Sequence, residues 1–177
     1  MTNYKENGNN IELIQPDFDL DETLDCGQAF RWEKLESDYK CTYTGFFLDK
    51  PLTISHDGEK FIFHNTTKED FENIWIDYFD FEKDYCEIKT RLSSDETLKK
   101  ACEFAGGIRL LKQDSWECLC SFIISQNNSI IFCKKTIPKV QCFLNESVLY
   151  YVCKQNIGGY QHEKSIDFTN EICSRGR

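Results

Sequence analysis

The stretch TTKEDFENIWIDYF, residues 66–79, is where the hydrophobic pattern of this chain changes its period. Its large apolar residues recur at the i, i+3, i+4, i+7 spacing of one helix face: Phe71, Ile74, Trp75 and Tyr78. Just upstream, Thr66 and Glu69 have the spacing of a capping box, in which the two residues satisfy free backbone N–H groups. The stretch therefore predicts an amphipathic helix with Thr66 at its start.

Before this helix, the chain has the composition of short β-strands. Four segments are aromatic or β-branched with partial alternation, namely 30–32, 39–47, 52–55 and 60–64. Short turn sequences separate them, such as Asp49-Lys50-Pro51 and His56-Asp57-Gly58. Because parallel pairing needs a long crossover, these strands are predicted to pair antiparallel.

After the helix, three further helices are predicted, each with a capping residue. They begin at Asp84, at Ser94 or Asp95, and at Asp114; Gly106-Gly107 is expected to end the second in a left-handed conformation. The helix of residues 114–127 is apolar almost all round, which predicts burial at the centre of a bundle. Strands followed by helices indicate an α+β fold, with the helices segregated from an antiparallel sheet.

Composition narrows the possible functions. The chain has 177 residues and a net charge of −9, no apolar run of the ~20 residues that a membrane span needs, and a polar start without a signal segment. We predict a cytoplasmic protein whose ten cysteines are reduced, with no metal site and no cofactor. Residues 1–129 carry a net charge of −12 and residues 130–177 one of +3, so any nucleic-acid site must be local.

Two longer motifs carry a resemblance to a known family. LDETLDCGQAFRW (20–32) and IRLLKQDSWECLCSFIISQNNSI (108–130), with YFDFEKDY (78–85) between them, are similar to the 8-oxoguanine DNA glycosylases. The resemblance covers residues 11–130. It implies an antiparallel, TATA-binding-protein-like N-terminal domain followed by a helix-hairpin-helix glycosylase domain. It also implies that 8-oxoguanine is flipped out of the duplex and excised, and that the strand is nicked by β-elimination.

The resemblance assigns roles to three residues. Gly27 matches the glycine whose main-chain carbonyl accepts the N7 hydrogen that 8-oxoguanine has and guanine lacks. Asn127 and Asn128 match the paired asparagines that contact the orphaned cytosine, a task that suits an amide because it both donates and accepts. From the residues alone, Gly27 would be a turn residue and the asparagines a polar helix end. Gln28, Phe30 and Trp32 are expected to frame the turn, with the aromatic rings packed in the core.

The catalytic part of the family is not recognised in this sequence. The family's nucleophile is a lysine beside a Leu-Pro-Gly-Val-Gly hairpin, and an aspartate follows it. Residues 131–177 contain only Ile157-Gly158-Gly159, with Lys154 and Lys164 nearby, and we assign neither lysine as the nucleophile. We therefore identify no catalytic residue, and hypothesise that the family's register is lost near Ile130, by a shifted reading frame or in a gene remnant.

The predicted organisation has four parts. Residues 1–10 form a polar tail, 11–80 the sheet domain, 81–130 the start of an incomplete helical domain, and 131–177 a segment unlike the family. Two functions remain open. One is an 8-oxoguanine DNA glycosylase and lyase by descent, inactive in this chain; the other is a non-catalytic relic or interaction module. The partner implied is damaged double-stranded DNA, bound weakly by a monomer, with no membrane partner.

Overall fold

A computed structural model of the protein describes residues 3–126, 132, 133, 135 and 136. The chain divides into two compact units, Met1–Gln141 and Cys142–Arg177, and every described residue lies in the first. Within the described part of the chain, no helix is long and apolar enough to cross a membrane.

A six-stranded antiparallel sheet forms the base of the fold. Its spatial order is β1-β2-β6-β5-β4-β3, and every neighbouring pair is antiparallel. The strands are β1 (Tyr4–Asn7), β2 (Asn10–Leu13), β3 (Glu33–Leu35), β4 (Cys41–Phe47), β5 (Lys50–His56) and β6 (Phe61–His64). Together with the helices that follow, this sheet confirms the predicted α+β fold.

Two predictions about the sheet are wrong in detail. Residues 4–7, expected within a polar tail, form the edge strand β1, where Tyr4 pairs with Leu13. An edge strand pairs with only one neighbouring strand and can be largely exposed to solvent. The polar composition of residues 4–7 therefore gave no sign of a strand. Residues 30–32 were expected as a strand, but β3 begins at Glu33. The aromatic residues before it belong to an irregular turn. Trp32 in this turn is buried because its ring packs against Trp75 and Tyr78, which are distant in the chain.

The helices are α1 (Leu20–Leu24), α2 (Lys68–Asp70), α3 (Ile76–Tyr78), α4 (Tyr85–Leu92), α5 (Glu96–Phe104) and α6 (Ser115–Ser125). A π-helical segment, Phe71–Trp75, joins α2 to α3, so residues 68–78 run as one helix, as predicted. The helix α1 has no counterpart among the predictions.

Local capping bonds explain where most helices begin. Asp84, Asp95 and Asp114 each accept backbone N–H bonds at the start of α4, α5 and α6, as predicted. At α2, however, the cap is Thr67 and not Thr66: the Thr67 side chain accepts from the N–H of Asp70 at 3.1 Å. Gly106 and Gly107 are not among the described residues with positive φ, so the predicted left-handed ending of α5 is wrong.

The core lies between one face of the sheet and the helix of residues 68–78. A row of residues in register crosses four strands, all at most 1% exposed: Tyr43, Ile54, Phe63 and Ile11. Phe71, Trp75 and Phe79 pack in the same cluster. Burial of this much aromatic surface is the main stabilising contribution to the domain.

The last helix is only partly buried, which is less than its all-round apolar pattern by itself predicts. In α6, Cys120 and Ser121 are buried, but Trp116 is 51%, Phe122 62% and Ile123 61% exposed. The apolar pattern specified which faces of α6 suit burial, whereas actual burial depends on which neighbours pack against those faces. The described residues leave one apolar side of α6 accessible.

Candidate functional site

Gly27 lies in the irregular turn between α1 and β3. Its φ is +89°, a left-handed value that strains residues with a Cβ atom, and the residue is half-buried. The backbone conformation therefore explains why this position is a glycine. It agrees with the interpretation of Gly27 as a turn residue.

The neighbouring residue, Gln28, joins this turn to the segment that leads into α6. Its side-chain Nε2 donates to the carbonyl oxygens of Thr23 at 2.9 Å and Arg109 at 2.7 Å. Its Oε1 accepts from the N–H of Leu111 at 3.1 Å. The main-chain oxygen of Gln28 in turn accepts from Nε2 of Gln113 at 2.6 Å. The two sequence motifs thus meet at one glutamine.

A second contact between the motifs lies at Gly107. The Gly107 N–H donates to Oε2 of Glu22 at 2.6 Å, and its carbonyl accepts from the N–H of Asp19 at 2.8 Å. Thr23 Oγ1 donates to that same carbonyl at 3.1 Å and accepts from the N–H of Arg109 at 3.1 Å. A Cβ on Gly107 would lie 2.5 Å from the Cβ of Asp19, so this close approach needs glycine.

A buried ion pair links the turn to α6 itself. Arg31 Nε lies 2.9 Å from Oε1 of Glu117, and the Arg31 guanidinium also stands over the Phe46 ring at 4.6 Å. Burial raises the pKa of Glu117, the charge of Arg31 opposes that rise, and Asp114 adds to it. The pair holds the first turn of α6 against the end of the Gly27 turn.

The aromatic residues of the turn differ in their burial. Trp32 is 3% exposed and lies in the core, where its Nε1 donates to the hydroxyl of Tyr78 at 2.8 Å. Burial raises the pKa of that hydroxyl, which keeps it protonated. The prediction that Trp32 packs in the core is confirmed, whereas Phe30 is only half-buried.

Arg109 is a central residue that the sequence reasoning missed. It is 1% exposed and its guanidinium donates to the carbonyl oxygens of Asp80 at 2.7 Å, Asp17 at 3.2 Å and Pro16 at 3.4 Å. It also stacks on the Tyr85 ring at 4.3 Å. Burial lowers the pKa of Arg109. An arginine in an otherwise apolar stretch, IRLL, was the available signal for such a buried cation.

The remaining predicted site residues fall beyond this part of the chain. The helix α6 ends at Ser125 with Gln126 as its C-cap, so Asn127 and Asn128 follow it directly but lie outside the described residues. Lys154 and Lys164 lie outside them as well. The roles of the two asparagines remain predictions. Among the described residues, no group of three or more His, Cys, Asp or Glu side chains is placed to hold a metal ion.

The chain is similar to proteins of one family over most of its length. A family model described as "8-oxoguanine DNA glycosylase, N-terminal domain" matches residues 10–119. The curated N-glycosylase/DNA lyase OGG1 of Arabidopsis thaliana is 26% identical over 133 residues, which are 73% of this chain and 36% of that protein. Gly27 and Gln28 lie within the residues that the family model matches.

Two solved structures extend the similarity to three dimensions. MBOgg1 in complex with a low affinity DNA ligand is 44% identical, with a TM-score of 0.71 over 76% of this chain and 46% of that one. The Clostridium acetobutylicum 8-oxoguanine glycosylase/lyase, in complex with double-stranded DNA containing cytosine opposite to 8-oxoG, is 40% identical. Its TM-score is 0.69 over 75% of this chain and 45% of that one. The chain thus spans less than half the length of these relatives.

Proposed function

This chain belongs to the 8-oxoguanine DNA glycosylase family, and on that premise we propose that it binds damaged duplex DNA and recognises 8-oxoguanine, the first step of base-excision repair. The recognising atom in this proposal is the main-chain oxygen of Gly27. 8-Oxoguanine presents an N7 hydrogen to this acceptor, while guanine presents a lone pair. With 8-oxoguanine the acceptor therefore gains a hydrogen bond, whereas with guanine it is left unpaired.

The observation that carries the proposal is the fixed backbone of the Gly27 turn. Its φ of +89° and its bonds to the 109–113 segment through Gln28 supply an acceptor that is oriented before the base arrives. An acceptor oriented in advance discriminates better than a mobile one, because ordering it costs free energy on binding. The relative from Clostridium acetobutylicum, which is described as bound to DNA containing 8-oxoG, has a similar fold.

The proposed DNA contact is local and weak. Residues 1–129 carry a net charge of −12, and affinity for DNA rests chiefly on cationic side chains that neutralise phosphates. The predicted contacts from Asn127 and Asn128 to the orphaned cytosine add hydrogen bonds without charge. We therefore expect affinity to be low and to fall only modestly as salt is added, because few phosphates are neutralised. The preference for the lesion then rests on hydrogen bonds to the bases.

We further propose that this chain recognises the lesion without cutting the strand. Excision followed by β-elimination in this family uses a lysine beside a helix-hairpin-helix, and no such hairpin is recognised in residues 131–177. Without an amine at the sugar C1′, no Schiff base forms and the glycosidic bond stays intact. The protein would then act as a lesion-binding relative of an enzyme.

Two measurements test these proposals. Fluorescence anisotropy with labelled duplexes should show tighter binding to 8-oxoguanine opposite cytosine than to guanine opposite cytosine, and Gly27→Ala should abolish the preference because a Cβ strains the turn. Equal affinity of the wild type for both duplexes would refute lesion recognition. Borohydride trapping on the lesion duplex should give no covalent adduct. An adduct would overturn the proposal that the chain does not cut the strand, and would leave the proposal of lesion recognition standing.

The exposed apolar side of α6 favours a second candidate function, that of an interaction module. Trp116, Phe122 and Ile123 are each more than half exposed, and exposed patches of this kind commonly mark protein contacts. A folded wild-type chain with no lesion preference that self-associates reversibly would support this alternative. Loss of that association in Phe122→Glu, with the fold retained, would place the contact on α6.

A further inference from the structure

The direction of the Gly27 carbonyl is set by one rigid unit that includes the next residue. The peptide bond is planar, so the Gly27 carbonyl, the Gln28 N–H and the Cα atoms of both residues lie in one plane. Whatever fixes the Cα of Gln28 therefore fixes one end of the plane in which the proposed lesion acceptor lies. The other end is set by Gly27, whose own φ of +89° has no side chain to hold it.

The Gln28 side chain anchors that end from two directions. Thr23, whose carbonyl accepts from Nε2, lies in α1 before the turn, whereas Arg109 and Leu111 lie more than eighty residues later. All three bonds are 2.7 to 3.1 Å long. The side-chain amide thus uses both its donors and its acceptor, and only an amide of this length offers that combination.

A bond through the main chain completes the anchor. The Gln28 carbonyl accepts from Nε2 of Gln113 at 2.6 Å, so the residue is held on both sides of its Cα atom. Residues 109–113 lead directly to Asp114, the cap of α6. Movement of the turn is therefore coupled to the segment that positions the helix before Asn127 and Asn128.

From these contacts we propose that Gln28 is a positioning residue that sets how strongly the site discriminates 8-oxoguanine from guanine. The inference rests on the proposed function, because it concerns the acceptor of Gly27. A hydrogen bond weakens steeply as its angle departs from linearity. A carbonyl free to rotate would bond the lesion less well and would repel guanine less, so both changes reduce the preference.

The test uses the full chain and three duplexes that carry 8-oxoguanine, guanine or an abasic-site analogue opposite cytosine. Gln28→Met has a similar length but can neither donate nor accept as an amide does. We expect it to lower the 8-oxoguanine to guanine affinity ratio by about tenfold, the equivalent of one hydrogen bond. Its affinity for the abasic analogue should stay unchanged, because that duplex has no base to read.

A matched control and a second variant keep the result interpretable. Gln15→Met removes a glutamine whose side chain makes one long bond, 3.4 Å to the Pro16 carbonyl, and should leave the ratio unchanged. Gln28→Glu keeps an acceptor for Leu111 but turns a carboxylate toward the two carbonyl oxygens. At acidic pH the introduced carboxyl is protonated and regains one donor, so its discrimination ratio should rise as pH falls while that of the wild type stays flat.

The outcomes separate the inference from the function on which it rests. A wild type with no preference refutes the proposed function. A wild type with preference, whose Gln28→Met variant keeps the same ratio, overturns the role of Gln28 alone. An equal loss of affinity for all three duplexes also overturns it, because this pattern reports a general structural defect. If Gln28→Met does not fold, the pH dependence of the affinity ratio in Gln28→Glu tests the inference. A ratio that rises as pH falls supports the role of Gln28, and a ratio that does not change with pH overturns it.

Discussion

Arg31 and Glu117, which are 86 positions apart in the chain, form an ion pair whose side chains are 4% and 13% exposed, with 2.9 Å between Nε and Oε1. Arg31 also donates to the Leu48 carbonyl at 3.3 Å, so the pair is held from the sheet side as well. The pair fastens α6 to the turn that contains Gly27. Its removal should therefore affect stability and the candidate site together.

Replacing one partner of this pair should destabilise the fold strongly. Arg31→Met leaves the Glu117 carboxylate buried beside an apolar side chain, which costs about 3–5 kcal/mol of unfolding free energy. The double variant Arg31→Met, Glu117→Met removes both charges and should be more stable than Arg31→Met alone. Urea unfolding of Arg31→Met, Glu117→Met and the double variant measures the coupling energy between the two side chains. Strictly additive losses of unfolding free energy would show that the two side chains are not coupled.

Asp80 should make stability depend on acidic pH. Burial alone would raise its pKa, but hydrogen bonds from Lys83, Tyr85 and Lys112 outweigh burial, so the pKa is lowered. A lowered folded-state pKa gives stability that is present above the unfolded value of about 3.9 and is lost as pH falls through the folded value.

The variant Asp80→Asn isolates this effect. Asparagine tolerates the positive φ of 54° at this position, so the backbone is retained while the charge is lost. We expect the variant to be about 2 kcal/mol less stable than the wild type at neutral pH. The gap should narrow as pH falls below about 4, where the unfolded-state carboxyl takes up a proton, and should close only below the lowered folded-state pKa. Denaturation at a series of pH values checks this, and a constant gap would show that the charge is not responsible.

The close approach at Gly107 should not tolerate a methyl group. In Gly107→Ala the new Cβ would stand 2.5 Å from the Cβ and 2.7 Å from the backbone nitrogen of Asp19. Relief requires the two segments to separate, which we expect to cost about 2–3 kcal/mol. The adjacent Gly106→Ala is the control: its nearest contact is the Cys102 oxygen at 3.0 Å, and its loss should be smaller. Similar melting temperatures for the two variants would contradict the steric argument.

Arg109 should resist even a conservative exchange. Lysine keeps the charge but lacks the planar guanidinium that reaches three carbonyl oxygens and stacks on Tyr85. We expect Arg109→Lys to lower the free energy of unfolding by about 2–4 kcal/mol. Arg91→Lys, at an exposed position on α4, should change it by less than about 0.5 kcal/mol. Chemical denaturation of both variants provides the measurement.

Local patterns specified the helical part of the fold well. The caps at Asp84, Asp95 and Asp114 were predictable because a capping side chain bonds N–H groups two or three residues away. The change of period near residue 66 was predictable for the same reason, since periodicity is a property of neighbouring residues. The strands Cys41–Phe47 and Phe61–His64 lie within the predicted segments, each beginning one or two residues later.

The candidate site was only partly predictable. Gly27 was identified from the resemblance of its motif, and the turn conformation supports the choice of glycine. The bonds of Gln28 to Arg109 and Leu111 left no signal in either motif, because the partners are backbone groups that every residue type provides. Arg109 was missed since a buried cation looks like a surface residue until its carbonyl partners are located.

The amino-acid sequence by itself determined the α+β class, the starts of α4, α5 and α6 and the family of the chain, all of which depend on residues near one another or on recognisable motifs. The tertiary structure decided that Gln28 and Arg31 contact residues 109–117, and that α6 keeps an exposed apolar side. Contacts across about eighty residues depend on how the sheet and helices pack. Each partner is ordinary in its own neighbourhood, and only packing brings the two together.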